Sequence, residues 1–219
     1  MTNKEVINFQ KKLMQDYEAV PKEGKIISYF DRDFIVYPGV FWPRFDSMPL
    51  IGNYTVNKGE TVLDLCTGSG VIAIFSAWKG ASKVVGVDIN PNAIKSAKEN
   101  ATRHKVEKIT DFRLGDMFDP VKEKFDIITA NLPFTNKKPK KMIERTMWDK
   151  DLYAYKRLIA GLDSHLTENG RCYISQMNEG VYKEILELAE QNGFTHKKIG
   201  SLMYPFNKVE YYAFELKRK

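Results

Sequence analysis

The stretch that decides the fold of this chain is Thr61-Val62-Leu63-Asp64-Leu65-Cys66-Thr67-Gly68-Ser69-Gly70. Residues 61–66 predict a buried strand, and an apolar helix is predicted over 71–78, directly after the glycine-rich turn. Glycines let the backbone approach a ligand closely, and the N-terminus of the following helix carries a positive partial charge. The turn therefore predicts a ligand site at the carboxyl end of the strand, and a nicotinamide or flavin cofactor remains open at this point.

Strands and helices alternate on the C-terminal side of this turn. Strands are predicted over 83–88, 109–114, 125–130 and 170–175, and helices over 91–104, 151–166 and 182–191. Two further strands near 195–202 and 210–216 have only a turn around Pro205-Phe206-Asn207 between them, which favours an antiparallel hairpin. The pattern predicts an α/β fold with a doubly wound sheet of seven mostly parallel strands and a C-terminal antiparallel hairpin.

The first part of the chain has a different pattern. A helix is predicted over 4–19, followed by a hairpin of strands over 25–30 and 34–37. Prolines and a glycine make residues 38–49 irregular. We therefore divide the chain into a small helix and hairpin extension over 1–48, on the lid or acceptor side, and a main domain over 49–219.

Composition excludes several classes of protein. The chain has 219 residues, of which 43% are apolar, so it can bury a substantial core. It has no run of eighteen apolar residues and no secretory signal over residues 1–10, so a cytoplasmic location without membrane association is expected. Two cysteines, Cys66 and Cys172, do not make a disulfide framework or a zinc cluster, and no metal site is predicted.

The formal net charge of +6 is concentrated in the 137–141 run and the 217–219 tail. Such a run either contacts nucleic-acid phosphates or is a solvated loop, and we favour the solvated loop.

Acidic residues follow the next two predicted strands. Asp88 ends the second strand, eighteen positions after Gly70, where a carboxylate can accept both hydrogen bonds of a ribose diol. Asp116, after the third strand, can accept from an adenine amino group, with Met117 and Ile89 beside the ring. Capping of a turn is the alternative role for Asp116. Since Cys66 occupies the first glycine position of a dinucleotide fingerprint, the match to that fingerprint is partial.

The fourth strand ends in Asn131-Leu132-Pro133-Phe134. The Asn131 side-chain carbonyl and the Pro133 carbonyl can accept the two hydrogen bonds of an amino or amide nitrogen, and Phe134 can stack on its planar group. Together these groups would aim the nitrogen lone pair at an electrophilic methyl. The alternative is a strand-ending turn with Phe134 in the core.

Residues 36–134 resemble the class I S-adenosylmethionine-dependent methyltransferases, above all the HemK-type N5-glutamine methyltransferases and other N-methyltransferases with an Asn-Pro-Pro-Tyr/Phe motif. The stretches that carry the resemblance are 62–70, 87–93, 115–118, 125–128 and 131–134, and 43–47 is similar to their Pro-Arg-Pro-Glu-Thr element over the methionine end of the cofactor. The resemblance implies a Rossmann-like fold, S-adenosylmethionine as cofactor and S-adenosylhomocysteine as product. It implies catalytic roles for Asn131, Pro133 and Phe134, and cofactor contacts by Arg44, Ser47, Asp64, Cys66, Thr67, Gly68, Gly70, Asp88, Ile89, Asp116, Met117 and Asn131.

The chain departs from the HemK pattern in three places. Leu132 replaces the usual proline, only about fifty residues precede the core where the family has a helical release-factor-binding domain, and nothing after Phe134 matches. We therefore expect N-methylation of a compact acceptor, either a metabolite or an exposed protein side chain, rather than of a release factor. Tyr37, Phe41 and Trp42 are either an acceptor wall or core aromatics.

Two other functions stay open on the sequence. An RNA or DNA adenine-N6 methyltransferase would use the same tetrapeptide, with the 137–141 run on phosphates. A nucleotide-binding module without catalysis, or an NAD-type oxidoreductase, is disfavoured by Cys66, Asp116 and the 131–134 motif. The sequence leaves the identity of the acceptor and the oligomeric state open.

Overall fold

The computed structural model of the chain describes residues 3–178, 180–204 and 209–219. Its α-helices are α1 (Asn3–Glu18), α2 (Met48–Asn53), α3 (Val71–Trp78), α4 (Pro91–Arg103), α5 (Tyr153–His165) and α6 (Tyr182–Gln191). Its strands are β1 (Lys25–Tyr29), β2 (Arg32–Val36), β3 (Thr61–Leu65), β4 (Lys83–Asp88), β5 (Thr110–Leu114), β6 (Phe125–Ala130), β7 (Leu166–Met177), β8 (Phe194–Met203) and β9 (Glu210–Arg218). Short 3-10 helices lie at Ile143–Thr146 and Lys150–Leu152. No helix in the described ranges is long and apolar enough to cross a membrane.

The main sheet has the strand order β5-β4-β3-β6-β7-β9-β8. Strands β3 to β7 are parallel to one another, whereas β9 is antiparallel to both β7 and β8. This confirms the predicted seven-stranded, mostly parallel sheet with its C-terminal hairpin. Leu65 at the end of β3 pairs with Val87 of β4 on one side and Ala130 of β6 on the other. Strand order reverses at β3, which is where ligands of open α/β sheets bind.

The central strands are buried on both faces, which explains their nearly continuous apolar sequence. On one face, Leu63 and Val85 pack in the cluster that contains Leu158 of α5 and Ile185 of α6. On the other face, a second apolar cluster joins the sheet to α3 and α4, and its fully buried members include Val62, Val84, Ile127, Ile74 and Ala97. The alternation of side chains along each strand thus places helices on both sides of the sheet.

The N-terminal hairpin packs on helix α4. The fully buried Asn100 side chain accepts a hydrogen bond from the Ile35 backbone N–H at 2.7 Å and donates to the Ile35 carbonyl at 2.9 Å. The same amide nitrogen donates to the Ser69 carbonyl in the turn after β3. The hairpin and the glycine-rich turn are therefore joined through the buried side-chain amide of Asn100. The predicted division of the chain between residues 48 and 49 remains a prediction.

Several local predictions differ from the structure, and strand β2, for example, begins at Arg32 rather than 34. The stretch expected to be irregular up to residue 49 contains the start of α2, with Pro49 in its first turn, where proline costs no hydrogen bond. Helix α5 begins at Tyr153 rather than 151, because Asp151 and Leu152 have positive φ values of 56° and 57°. Strand β7 begins at Leu166 instead of 170. The predicted turn at Pro205-Phe206-Asn207 lies outside the described residues.

Candidate active site

A pocket lies at the carboxyl edge of the sheet, where β3, β4 and β6 end. It brings together ten of the predicted site residues: Arg44, Ser47, Cys66, Thr67, Gly68, Asp88, Ile89, Asn131, Pro133 and Phe134. Helix α1, residues 39–41 and the segment after Phe134 also contribute to the lining, as do Met177, Tyr204, Val209 and Tyr211. Four predicted residues, Asp64, Gly70, Asp116 and Met117, are outside the lining.

The glycine-rich turn and the end of β4 are joined directly. The Gly68 backbone N–H donates to Asp88 Oδ2 at 2.9 Å, and the Asn90 N–H donates to Asp88 Oδ1 at 2.9 Å. Gly68 has a φ of +56°, and a Cβ placed on it would meet within 4 Å only the Phe41 carbonyl oxygen, at 3.5 Å. The backbone of Gly68 is therefore open to the pocket, next to the Asp88 carboxylate, whose orientation these hydrogen bonds fix.

Asp64 and Gly70 support the turn from behind. Asp64 is buried and accepts hydrogen bonds from Thr67 Oγ1 at 2.6 Å and Thr129 Oγ1 at 2.8 Å. Burial raises the pKa of this carboxyl to about 6. Gly70 precedes α3 with a φ of +82°, and a Cβ there would lie 2.9 Å from the Ala97 Cβ. Gly70 therefore allows α3 and α4 to pack closely.

The Asn131 side chain is oriented by a buried acid. Its Nδ2 donates to Asp46 Oδ2 at 2.6 Å, and Asp46 is only 5% exposed. Burial raises the pKa of Asp46, and the hydrogen bond from Asn131 opposes that rise. Because the amide nitrogen is bound to Asp46, the Asn131 carbonyl oxygen is the atom left to accept from a ligand.

The rest of the 131–134 turn is held from the protein side. Leu132, in the place of the family's proline, is 1% exposed, and its carbonyl accepts from the Tyr155 hydroxyl at 3.3 Å. Pro133 and Phe134 line the pocket and are partly exposed, so Phe134 is not a core residue.

The 43–47 element contacts this turn directly through Asp46. Asp46, which sequence reasoning did not select as a site residue, lies between the predicted Arg44 and Ser47. Its place within the 43–47 stretch, Pro-Arg-Phe-Asp-Ser, was the one signal for it. The Arg44 guanidinium lies 5.6 Å from the Trp42 ring centroid, and the buried Arg44 Nε has no hydrogen-bond partner among the described residues.

A family model described as a methyltransferase domain matches residues 56–210 of the chain. This chain belongs to the S-adenosylmethionine-dependent methyltransferases. The chain is 34% identical over 180 residues to a protein of Methanocaldococcus jannaschii whose name proposes protein N5-glutamine methyltransferase activity. That match covers 80% of this chain and 90% of the relative, and confirms the predicted resemblance to HemK-type enzymes.

Two further methyltransferases are similar to this chain over a smaller part of their own length. A release factor glutamine methyltransferase of Thermodesulfovibrio yellowstonii is 32% identical over 152 residues, which are 63% of this chain and 53% of that enzyme. The crystal structure of a ribosomal protein L11 methylase from Lactobacillus delbrueckii subsp. bulgaricus superposes with a TM-score of 0.56 and 26% identity, over 74% of this chain and 71% of that chain. The chain thus spans about half the length of the release-factor enzyme.

S-adenosylmethionine is the methyl donor of this methyltransferase. The geometry of the pocket fits S-adenosylmethionine in two respects. The open space in front of the Gly68 backbone suits a bulky ligand, and the Asp88 carboxylate suits the diol of the cofactor's ribose. Ile89 lines the pocket beside Asp88 and offers an apolar surface. We keep the individual cofactor contacts as predictions.

Asp116 and Met117, which were predicted to lie beside the adenine of the cofactor, are outside the lining of the pocket. Asp116 Oδ2 forms an ion pair with Arg157 Nη1 at 2.6 Å, a partner for which the sequence carried no signal. Met117 is buried with a φ of +52°, and its sulfur lies 3.8 Å from Cys66 Sγ. An adenine amino group would therefore share Asp116 with Arg157.

Tyr37, Phe41 and Trp42, the three aromatic residues considered as a wall for the methyl acceptor, have different environments in the structure. Phe41 lines the pocket. Trp42 is 8% exposed and packs against Tyr17, and Tyr37 donates from its hydroxyl to Glu99 at 2.7 Å. Phe41 is the member of this set that a ligand in the pocket can touch.

Proposed function

We propose that this methyltransferase methylates an amide or amino nitrogen, and that its acceptor is the side-chain amide of a glutamine in a protein. The observation that carries the proposal is the hydrogen bond from Asn131 to Asp46 at 2.6 Å in the wall of the pocket. It leaves the Asn131 carbonyl oxygen as an acceptor for an N–H group, which an oxygen or carbon nucleophile would not use in the same way.

The proposed chemistry is an in-line displacement in which an N–CH3 bond would form as the S–CH3 bond breaks, the electron pair staying on the sulfur of the departing S-adenosylhomocysteine. The methylated nitrogen would then release one proton to solvent as the product leaves. The chain mainly positions the nucleophile. S-adenosylmethionine supplies an electrophilic methyl group on a sulfonium. The Asn131 Oδ1 atom accepts one N–H of the incoming amide, the Pro133 carbonyl accepts the other, and Phe134 stacks on the amide plane. These contacts hold the planar amide still and direct its nitrogen at the methyl, and the apolar lining keeps water away.

The names of the relatives support a protein acceptor. The relative from Methanocaldococcus jannaschii and the Thermodesulfovibrio yellowstonii enzyme are both named for glutamine methylation. The first of them is matched over 80% of this chain, more than residues 1–134 contain, so the likeness extends beyond Phe134 and the expectation that nothing after Phe134 matches is wrong.

The decisive experiment is methyl transfer from tritiated S-adenosylmethionine into separated protein, RNA, DNA and metabolite fractions of a cell extract. The proposal expects label in the protein fraction that survives nuclease treatment. Acid hydrolysis should release it as methylamine, because an N5-methylglutamine amide bond is hydrolysed whereas methyl-lysine is stable. Label in nucleic acid would instead support the adenine-N6 function, and label released as methanol would identify an oxygen acceptor. The Asn131→Ala protein is the background control.

A further inference from the structure

The chain after Phe134 forms a loop with a closed neck. Residues 136–147, here called the 136–147 loop, leave the core at Thr135 and return at Trp148. Thr135 and Trp148 form a parallel β-bridge, and the Asp149 N–H donates to the Thr135 carbonyl at 2.9 Å. The neck therefore lies one residue beyond the proposed acceptor turn.

Gln10 of helix α1 binds both sides of this neck. Its Nε2 donates to Thr135 Oγ1 at 2.7 Å, and its Oε1 accepts from Trp148 Nε1 at 2.8 Å. Gln10 is 8% exposed and Trp148 is 3% exposed, so the hydrogen bond between them is buried, whereas the bond to Thr135 is partly buried. One side chain thus ties helix α1 to both ends of the loop.

The 136–147 loop and helix α1 face the same pocket. Met142, Arg145 and Met147 of the loop line it together with Phe9 of α1 and Gln10 itself. Because the loop starts next to Phe134, its position decides the shape of the pocket beside the motif that would orient the acceptor.

We propose that Gln10 is a positioning residue for the acceptor: by closing the neck of the 136–147 loop it fixes the wall against which the acceptor binds. The inference rests on the proposed function for the identity of that acceptor. Gln10 acts through Thr135 and Trp148 and contacts none of the reacting atoms in this role.

Apolar packing is the competing explanation for the position of the loop. Met147 and Trp148 share an apolar cluster with Leu13 and Met14 of α1. Such packing is not directional, whereas the two hydrogen bonds of Gln10 select one register of the neck. Removing Gln10 would also leave the buried indole N–H of Trp148 without its acceptor, which favours opening of the neck.

The first test compares Gln10→Leu with Gln15→Leu, an exposed glutamine on the same helix. Native-state trypsin cleavage after Lys140 and Lys141 reports opening of the loop when closing is fast relative to cleavage. We expect cleavage about tenfold faster in Gln10→Leu, and unchanged in Gln15→Leu. Equal rates in the two variants would overturn the proposal. This readout needs no acceptor, so it decides the role of Gln10 even if glutamine methylation proves wrong.

The second test uses kinetics with the acceptor identified from the tritium screen. Gln10→Leu should raise the acceptor KM about tenfold with a smaller change in kcat and an S-adenosylhomocysteine affinity within about twofold. A loss of cofactor affinity equal to the loss of acceptor affinity would indicate general damage and contradict the proposal.

Two variants protect the test against misfolding of Gln10→Leu. Thr135→Val removes one hydroxyl at constant shape and should also speed loop cleavage. Gln10→Glu keeps an acceptor for Trp148, and the Thr135 hydroxyl can donate to it, so the loop should regain most of its protection. Slow cleavage in Thr135→Val, or no recovery in Gln10→Glu, would contradict the assignment.

Discussion

Asp46 and Asn131 are 85 residues apart in the chain and their side chains meet at 2.6 Å in the wall of the pocket. An amide side chain can present either its oxygen or its nitrogen to a ligand, and a fixed acceptor behind it selects one orientation. Asp46 is that acceptor, and its backbone carbonyl accepts a hydrogen bond from the Ser175 hydroxyl, which holds this part of the chain in place. The 43–47 element therefore orients Asn131, the residue proposed to position the methyl acceptor.

Asp46→Ala should lower kcat about tenfold or more, because the Asn131 amide loses the partner that fixes its orientation. Asp46→Asn, with its oxygen facing Asn131, should keep most of the activity, since orientation requires an acceptor and not a charge. Steady-state kinetics of the two variants check this. Full turnover by Asp46→Ala would show that Asn131 is oriented by other means.

Asn131→Ala should lower kcat by about 10²-fold or more, the scale of a lost positioning contact. The affinity for S-adenosylhomocysteine should stay nearly intact, because the lost contact belongs to the methyl acceptor in the transition state. Turnover and calorimetry measure the two effects separately. Asn57→Ala, at an exposed asparagine, is the control. If Asn131→Ala keeps full turnover, Asn131 is only a turn residue.

Asp88→Ala should weaken S-adenosylhomocysteine binding by roughly 1.5–3 kcal/mol, the scale of charge-assisted hydrogen bonds. Part of the loss would come from the Gly68 N–H, which now donates to Asp88. Calorimetry checks the value, with Asp111→Ala as an exposed control on the neighbouring strand. Unchanged affinity would exclude Asp88 from the cofactor site.

Gly68→Ala and Gly70→Ala should have separable effects. Each places an alanine in the left-handed region of backbone conformation, which lowers the stability of the fold by about 1–2 kcal/mol. Gly70→Ala should destabilise the fold further, because its Cβ would lie 2.9 Å from the Ala97 Cβ. Gly68→Ala should instead reduce S-adenosylhomocysteine affinity, because its Cβ would project into the space where the ligand approaches the Gly68 backbone. Urea unfolding and calorimetry on both variants test this, and equal effects on both quantities would refute the distinction.

Asp64 should make stability fall as pH rises. Burial raises its pKa from a usual 3.8 to about 6, so the folded state holds this proton more tightly than the unfolded state. The stability from this group is therefore fully present below pH 3.8 and is lost as pH rises through about 6. The loss amounts to about 3 kcal/mol. Relative to wild type, Asp64→Asn should gain stability between pH 4 and 7.5 in urea unfolding. A constant difference across this range would show that the Asp64 pKa is not raised.

Local sequence was enough to predict the sheet and to place three candidate site residues at the edge where the pocket lies. Gly68, Asp88 and Asn131 each follow a strand whose apolar pattern is legible without the structure. Because neighbouring parallel strands end at the same edge of a sheet, residues that follow three such strands come together whatever the details of packing.

The partners of these residues were decided only by the tertiary structure. Nothing near Asn131 in sequence indicates Asp46, and nothing near Gln10 indicates Trp148, which is 138 residues away. The assignment of Asp116 to adenine likewise did not foresee Arg157. Periodicity and turn preferences act over a few residues, whereas a buried polar side chain takes its partner from whichever elements the packed core brings next to it. The sequence by itself therefore determined where the methyl donor is expected to bind, and tertiary packing determined how the proposed acceptor side of the pocket is oriented and enclosed.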